Sequence, residues 1–386
     1  MKIGVIGAGR LGLTFALLCE KAGYDVLVSD KREDYIQNLN QGVCSTNEPM
    51  IQEMLSVVYD FSATTDNIEI IRECDVIFTF VATPSTVDGN YDTSKVFEVA
   101  NDFFTASQLD IPVHGKKLII GCTTNPGDIE QIQDKLRMFD IQVAYNPEFI
   151  AQGEIVKGLE QSDIVLIGTE YTEIGITLVK IYEKIQTTPI NAHIMSSKAA
   201  EITKIGINCF LTNKISYANM MGDILMKAGL NKEIDTVLSA IGGDSRVGKK
   251  YMKYGFGFGG PCLPRDNRAL SNYAKKYNAN AKLSVLVDEM NIDHTEYLAD
   301  LYMKKNPDKK IPFVMKHISY KKGTDIITDS QQYNLCLILL SKGYTVFVQE
   351  IDAVIDQFKF KDMGEMEGRL KFFKYNTKPE GYLIDL

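Results

Sequence analysis

The 386 residues include no tryptophan, only four histidines and only seven cysteines. The cysteines are odd in number and scattered singly, and no C-x-x-C pair occurs, so no disulfide framework is expected. No H-x-x-x-H pair occurs either, so no metal site is expected. A reducing, cytoplasmic location is the default for such a chain. No apolar run approaches the roughly 20 residues of a membrane span. The sequence opens on MKIGVIGAG, already a strand and a turn, which leaves no room for a secretory signal. Positive charge is also short: 42 Lys and Arg against 50 Asp and Glu give a net charge of −8. That balance weighs against nucleic acid or an anionic membrane as the main partner. An anionic small molecule is not excluded, since it needs only a local set of N–H groups and a few cations. Low-complexity tracts and fixed-period repeats are missing too.

What remains is an ordinary globular composition, 45% hydrophobic and 24% charged. The length points to two or three domains. Apolar strand-like runs at 2–6, 25–29, 75–81, 117–122, 142–146 and 163–168 alternate with helix-like segments such as 11–23. Near-continuous apolar strands spaced by helices predict a parallel sheet covered on both faces. The fold class is therefore α/β, with a doubly wound Rossmann-like domain over 1–195. Residues 196–229 hold no proline and read as one long helix, opening a central helical region over 196–305. A long helix there is a natural spacer and dimer surface. The polar segment 306–312 reads as a linker. Strand, helix, strand patterning then resumes over 306–386, a second and smaller Rossmann-like domain joined to the first through the long helix.

Gly7-Ala8-Gly9-Arg10-Leu11-Gly12 is a G-x-G-x-x-G between a strand and a helix, and the next strand ends in Asp30. In that context the motif predicts a dinucleotide site. Gly7 makes the turn, Gly9 lets backbone approach a pyrophosphate, and Gly12 allows close helix–strand packing. Asp30 would accept hydrogen bonds from the adenosine ribose, which favours NAD over NADP. Lys31 and Arg32 follow at once and weaken that preference. The alternative is a glycine turn that binds nothing.

Lys204 and Asn208 lie four apart on the long helix and share a face. Their neighbours Ile205, Ile207 and Phe210 point to packed surroundings. Together the two side chains can present N–H donors to an oxygen that becomes negative. A solvated helix edge is the plainer reading of the same spacing. Cys262 stands in GFGFGGPCLPRDN, among glycines that let a ligand come close. Arg265 or Lys204 could favour its thiolate; a small buried hydrophobe is the alternative. A nicotinamide cofactor and a nucleophilic thiol together describe one chemistry. An alcohol is oxidised to an aldehyde, the thiol adds, a second oxidation leaves a thioester, and water releases a carboxylate.

These motifs, with NEPMIQEML (47–55), VATPSTVDGNYD (81–92), CTTNPG (122–127) and NPEFIAQG (146–153), resemble the UDP-glucose/GDP-mannose dehydrogenase family over nearly the whole chain. The resemblance implies NAD as cofactor, a homodimer through the central helix, and a C-terminal domain that holds the nucleotide of a sugar donor such as UDP-glucose. It implies Cys262 as nucleophile, with Lys204 and Asn208 on the oxyanion. Thr123, Glu148 and Asp266 would handle water and protons. The cofactor would lie against Gly7, Gly9, Arg10, Leu11, Gly12, Asp30, Thr83, Thr123, Gln152 and Arg265. The substrate would meet Glu148, Phe149, Ile150, Lys204, Asn208, Arg246, Tyr251, Phe256, Gly259 and Lys321. Three residues depart from the family pattern: Gln152 replaces a usual Glu, Thr328 a common Arg, and Arg265 a Lys. The C-terminal domain is also reduced. UDP-glucose is the expected donor, with GDP-mannose or a UDP-N-acetylhexosamine as alternatives. A two-electron hydroxyacid dehydrogenase would not need Cys262, and a non-catalytic sugar-nucleotide binder is the remaining rival.

Overall fold

Each apolar run of the first half forms a strand because side chains on both of its faces find a core. The computed structural model describes residues 1–46, 48–58, 61–150, 153–359, 363–374 and 379–386. They divide into two units, Met1–Lys204 and Ile205–Leu386. The first unit runs β1 (Lys2–Ile6), α1 (Arg10–Lys21), β2 (Asp25–Ser29), α2 (Glu33–Asn40), α3 (Ile51–Val57), β3 (Ser62–Thr64), α4 (Asn67–Glu73), β4 (Val76–Thr79) and α5 (Ser94–Gln108). It continues β5 (Lys117–Ile120), α6 (Asp128–Leu136), β6 (Gln142–Tyr145), α7 (Ile155–Glu160), β7 (Val165–Gly168), α8 (Thr172–Ile185) and β8 (Ala192–Met195). The strand order is β3-β2-β1-β4-β5-β6-β7-β8. Alternation along β4 shows how the sheet is held. Val76 and Phe78 face one core with Phe15 and Tyr182, while Ile77 faces the other with Phe103 and Tyr145. Burying each such side chain stabilises the fold by about 1.5–3 kcal/mol.

The sheet departs from the expected parallel arrangement at one place. β6 and β7 pair antiparallel through Tyr145 and Gly168, so the last two strands run against the first six. An apolar run buried on both faces reads the same in either direction, which is why the pattern could not foretell this. Three strands, β4, β5 and β6, end earlier than their apolar runs do, and past the end of β4 the residues Phe80 and Val81 leave the sheet and line the crevice above it. That crevice opens where β1 pairs with both β2 and β4, the point at which strand order reverses.

α9 (Ser197–Lys227) is the long helix, 31 residues and roughly 46 Å at 1.5 Å per residue. Ile205 is fully buried, but Phe210 is 62% exposed, against the packed surroundings expected for it. The rest of the second unit comprises α10 (Ile234–Gly243), α11 (Leu263–Lys276), α12 (Lys282–Lys305), β9 (Phe313–Met315), α13 (Gln331–Ser341), β10 (Val346–Gln349), α14 (Asp352–Ile355), β11 (Leu370–Phe373) and β12 (Tyr382–Leu383). Its four strands lie parallel in the order β11-β10-β9-β12. The segment read as a linker is held in place: Asn306 is buried, and its amide donates to the Ile311 carbonyl at 3.0 Å. Among the described residues no helix is long and apolar enough to cross a membrane, and no cluster of His, Cys, Asp and Glu could hold a metal ion.

Candidate active site

The dinucleotide motif sits where the sequence places it, between β1 and α1. Gly7 has φ +96°, and a Cβ there would meet the Phe80 carbonyl oxygen at 2.9 Å. A Cβ on Gly12 would stand 2.1 Å from the Gly7 oxygen, so the helix packs this closely only on glycine. Around Gly9 the space is open. Arg10 and Leu11 open α1, which no side chain caps, so its N-terminal dipole faces the crevice. A cavity of about 630 Å³ lies against Gly7, Gly9, Asp30, Arg32, Phe80 and Val81. These features fit a dinucleotide.

Asp30 is not alone in this cavity. Arg32 grips it with two bonds, Nε to Oδ1 at 2.7 Å and Nη2 to Oδ2 at 2.8 Å, and stacks its guanidinium 4.0 Å over the Tyr35 ring. Partial burial opposes the charge on Asp30, but the Arg32 bonds prevail and hold its carboxyl below the usual range. Arg32, which by sequence weakened the preference for NAD, is thereby committed to the Asp30 carboxylate.

Glu148, Phe149 and Ile150 follow β6 and are half-buried. Lys204, buried on the first turns of α9, donates from Nζ to the Glu148 carbonyl at 2.7 Å and lies 4.3 Å over the Phe149 ring. Burial pushes the Glu148 carboxyl up to about 7, against the pull of a hydrogen bond from Tyr182 and of the Lys204 charge. Thr83 is buried just past β4, and Thr123 is half-buried just past β5. Gln152 lies outside the described residues. Its neighbour Gly153 donates from N to Glu48 Oε1 at 2.7 Å, which ties the loop to the segment before α3. Two features of this unit were not read from the sequence. Tyr182 contacts Glu148 from α8. Glu201, fully buried on α9, accepts from Thr124 Oγ1 and from the Gly127 and Ile129 N–H groups, and so braces the start of α6.

In the second unit, Cys262 is exposed, which removes the buried-hydrophobe alternative. It occupies the N-cap position of α11, with Pro264 in the first turn. The sequence reading placed it in a loop and missed the helix, although Pro264 and the acidic Asp266 are N-terminal signals. The positive end of a helix favours an anion on such a sulfur. Asp266 is fully buried in the same turn. Its Oδ2 accepts from Asn208 Nδ2 at 2.6 Å, and its Oδ1 faces Arg265 Nε at 3.4 Å. The loop before Cys262 is pinned from two helices, α12 and α9, where Asn219 Oδ1 accepts the Gly255 N–H at 3.1 Å. Asn291 on α12 bonds both the N–H and the carbonyl of Phe258, each at 2.9 Å, and a Cβ on Gly257 would collide with its Oδ1. One turn on, His294 lies 2.8 Å from the Gly255 carbonyl and 2.8 Å from Asp223. Phe256 is half-buried between these anchors, and Gly259 presses on the Asp329 carbonyl.

The other expected substrate residues are less gathered. Arg246 is exposed and paired to Asp244. Tyr251 is 48% exposed with φ +67°. Lys321 is half-buried beyond β9, where Thr324 caps its carbonyl. The acid at the end of β10 stands in sequence order where Asp30 stands in the first unit. There Glu350 spends its carboxylate on the N–H groups of Ile318 and Ser319, at 2.9 and 2.7 Å. This second α/β sheet therefore braces its own turn with the acid at that position.

Residues 1–186 match the NAD binding domain of the UDP-glucose/GDP-mannose dehydrogenase family, and residues 198–293 match its central domain. The UDP-glucose 6-dehydrogenase AglM of Haloferax volcanii is 30% identical over 358 residues, which cover 90% of this chain and 82% of that protein. A UDP-glucose dehydrogenase structure from Pyrobaculum islandicum superposes with a TM-score of 0.85 at 23% identity, over 96% of this chain and 85% of that one. A UDP-D-ManNAc dehydrogenase structure from Pyrococcus horikoshii gives 0.78 at 22% identity, over 99% and 97%. With the glycine cradle, Asp30 and the open crevice in place, the chain takes NAD as its cofactor and belongs to the UDP-glucose/GDP-mannose dehydrogenase family of sugar-nucleotide dehydrogenases.

Proposed function

We propose that this protein oxidises UDP-glucose to UDP-glucuronate in a four-electron reaction: the C6 alcohol, two NAD and one water give the carboxylate, two NADH and three protons. The observation that carries the reading is an exposed thiol at the N-cap of α11, one turn from a buried carboxylate that holds Asn208. A simple alcohol dehydrogenase has no use for that thiol. NAD, when bound, accepts a hydride in each of the two oxidations.

Cys262 adds to the aldehyde to form a thiohemiacetal, and the second oxidation leaves a thioester on its sulfur. Lys204 and Asn208 donate to the oxygen that becomes negative. Glu148, Asp266 and Thr123 take up protons and position the hydrolytic water. Phe149, Ile150, Phe256, Gly259, Arg246, Tyr251 and Lys321 contact the sugar nucleotide. Gly7, Gly9, Arg10, Leu11, Gly12, Asp30, Thr83, Gln152 and Arg265 serve the cofactor. The names of curated relatives support UDP-glucose over other donors. The limits 1–195, 196–305 and 306–386 remain our division into domains, and the cytoplasm our location.

The deciding experiment is the yield of NADH at completion, with UDP-glucose, GDP-mannose and UDP-N-acetylhexosamines in parallel. Two NADH per UDP-glucose is the expected result. Two from another donor would move the substrate. One would mean a stalled second half-reaction, and none from any donor would favour a binding protein.

The active form is proposed to be a homodimer through α9. Phe210, Tyr217, Met220 and Ile224 are 37–62% exposed along this helix. Their spacing of seven, three and four residues makes a coiled-coil-like seam. Phe210→Arg with Ile224→Arg should give a monomer by light scattering while NAD binding persists. A dimer surviving both charges would place the interface elsewhere.

A further inference from the structure

The Tyr182 hydroxyl on α8 lies between two oxygens. One is Asn146 Oδ1, at 2.8 Å, and the other is Glu148 Oε1, closer still. A phenol has one hydrogen to give. The orientation of Asn146 is not open, because its Nδ2 donates to the Leu166 carbonyl at 2.9 Å, which leaves Oδ1 as an acceptor. Asn146 is 2% exposed, so water does not readily replace a missing donor there. Two arrangements follow. With Glu148 protonated, its O–H donates to the Tyr182 oxygen, the Tyr182 O–H donates to Asn146, and every group is satisfied. With Glu148 ionised, the Tyr182 hydrogen turns to the carboxylate and Asn146 Oδ1 loses its donor.

We propose that Tyr182 is a positioning residue that couples the proton on Glu148 to a hydrogen-bond choice between Glu148 and Asn146. This rests on the reading of Glu148 as a proton-handling group of the site. The groups facing the pair are Lys204 from α9, whose charge favours ionised Glu148, and Cys19 from α1, whose buried thiol adds to the pressure on the Tyr182 phenol. Burial raises the Glu148 titration to about 7 while the Tyr182 hydrogen bond pulls against it, so the phenol favours the ionised carboxylate at the expense of Asn146. Phe15, 6.1 Å away ring to ring, packs on Tyr182 and leaves its hydroxyl as the one polar point of that side chain.

The two neighbours of Tyr182 predict shifts of opposite sign. Tyr182→Phe keeps the ring in its core position and deletes the donor to the carboxylate. Glu148 should then titrate higher by about one pH unit or more, the size of a hydrogen bond to a charged group. Asn146→Leu deletes the competing acceptor and frees the phenol for Glu148, which should titrate lower. The measurement is infrared difference spectroscopy of the whole protein across pH 5–9. The carboxyl band of Glu148 is assigned by its loss in Glu148→Gln, since Glu201 also titrates near 7. The pH profile of kcat/KM should move with the band. An unmoved Glu148 band in Tyr182→Phe, or equal shifts in both variants, overturns the coupling. If Asn146→Leu fails to fold, Tyr182→Phe alone decides. Opposite band shifts in a protein that forms no NADH from any donor would keep the coupling and discard the proposed reaction.

Discussion

Cys262→Ala is expected to end acid formation while NAD binding stays near normal. An aldehyde carbon carries no hydride that can leave until a nucleophile makes it tetrahedral. The first oxidation therefore does not need the sulfur, and the second does. Acid production should fall by of order 10³-fold or more, and NADH yield should drop from two toward one per sugar nucleotide, with aldehyde as the end product. The fold should survive. Cys262 is exposed, and its side chain makes no capping bond to α11, so alanine removes neither core packing nor a cap. The glycine turn and the acid of the NAD site, Gly7, Gly9, Gly12 and Asp30, lie in the first unit, and Cys262 lies in the second. Cofactor titration by fluorescence, run beside acid quantification, separates the two effects. Full acid production by this variant would sink the thioester route, because water adding directly to the aldehyde would then suffice.

The legible parts of this protein were those in which chemistry and shape share a short stretch of chain. Gly7, Gly9 and Gly12 sit within six residues and join β1 directly to α1. The spacing of Lys204 and Asn208 likewise survives in α9. The rest depends on partners far away in sequence. Tyr182 meets Glu148 across 34 residues, and Asp266 meets Asn208 across 58. Nothing in the local pattern around Tyr182 separates it from a core tyrosine. Asp30 shows the opposite limit. Its place just past β2 was legible, yet Arg32, the neighbour thought to weaken its preference for NAD, is its bidentate partner. The reversed β7 was hidden for a third reason: burial leaves its mark on composition but not on strand direction.

Lys204→Met should lower kcat/KM by roughly 10²–10³-fold, the usual cost of losing one donor to a developing oxyanion. Methionine keeps much of the apolar stem over the Phe149 ring, so the contact at 4.3 Å is replaced rather than emptied. Two further effects separate electrostatics from simple damage. The Lys204 charge holds Glu148 down against burial, so without it the carboxyl should titrate above about 7 and the acid limb of the rate profile should move up with it. Stability should respond in the same window. The folded-state titration of Glu148 is raised from its ordinary 4.5, so the native protein binds this proton more tightly than the unfolded chain does. Its contribution to stability is fully present below about 4.5 and is lost as pH rises through about 7. In Lys204→Met the loss should extend to higher pH, read as a urea midpoint that keeps falling beyond neutrality where the parent levels off. A uniform drop in midpoint at every pH, with an unmoved rate profile, would reduce Lys204 to a packing residue. A displaced profile with an intact midpoint at low pH would fix it as the cation that sets the charge of Glu148.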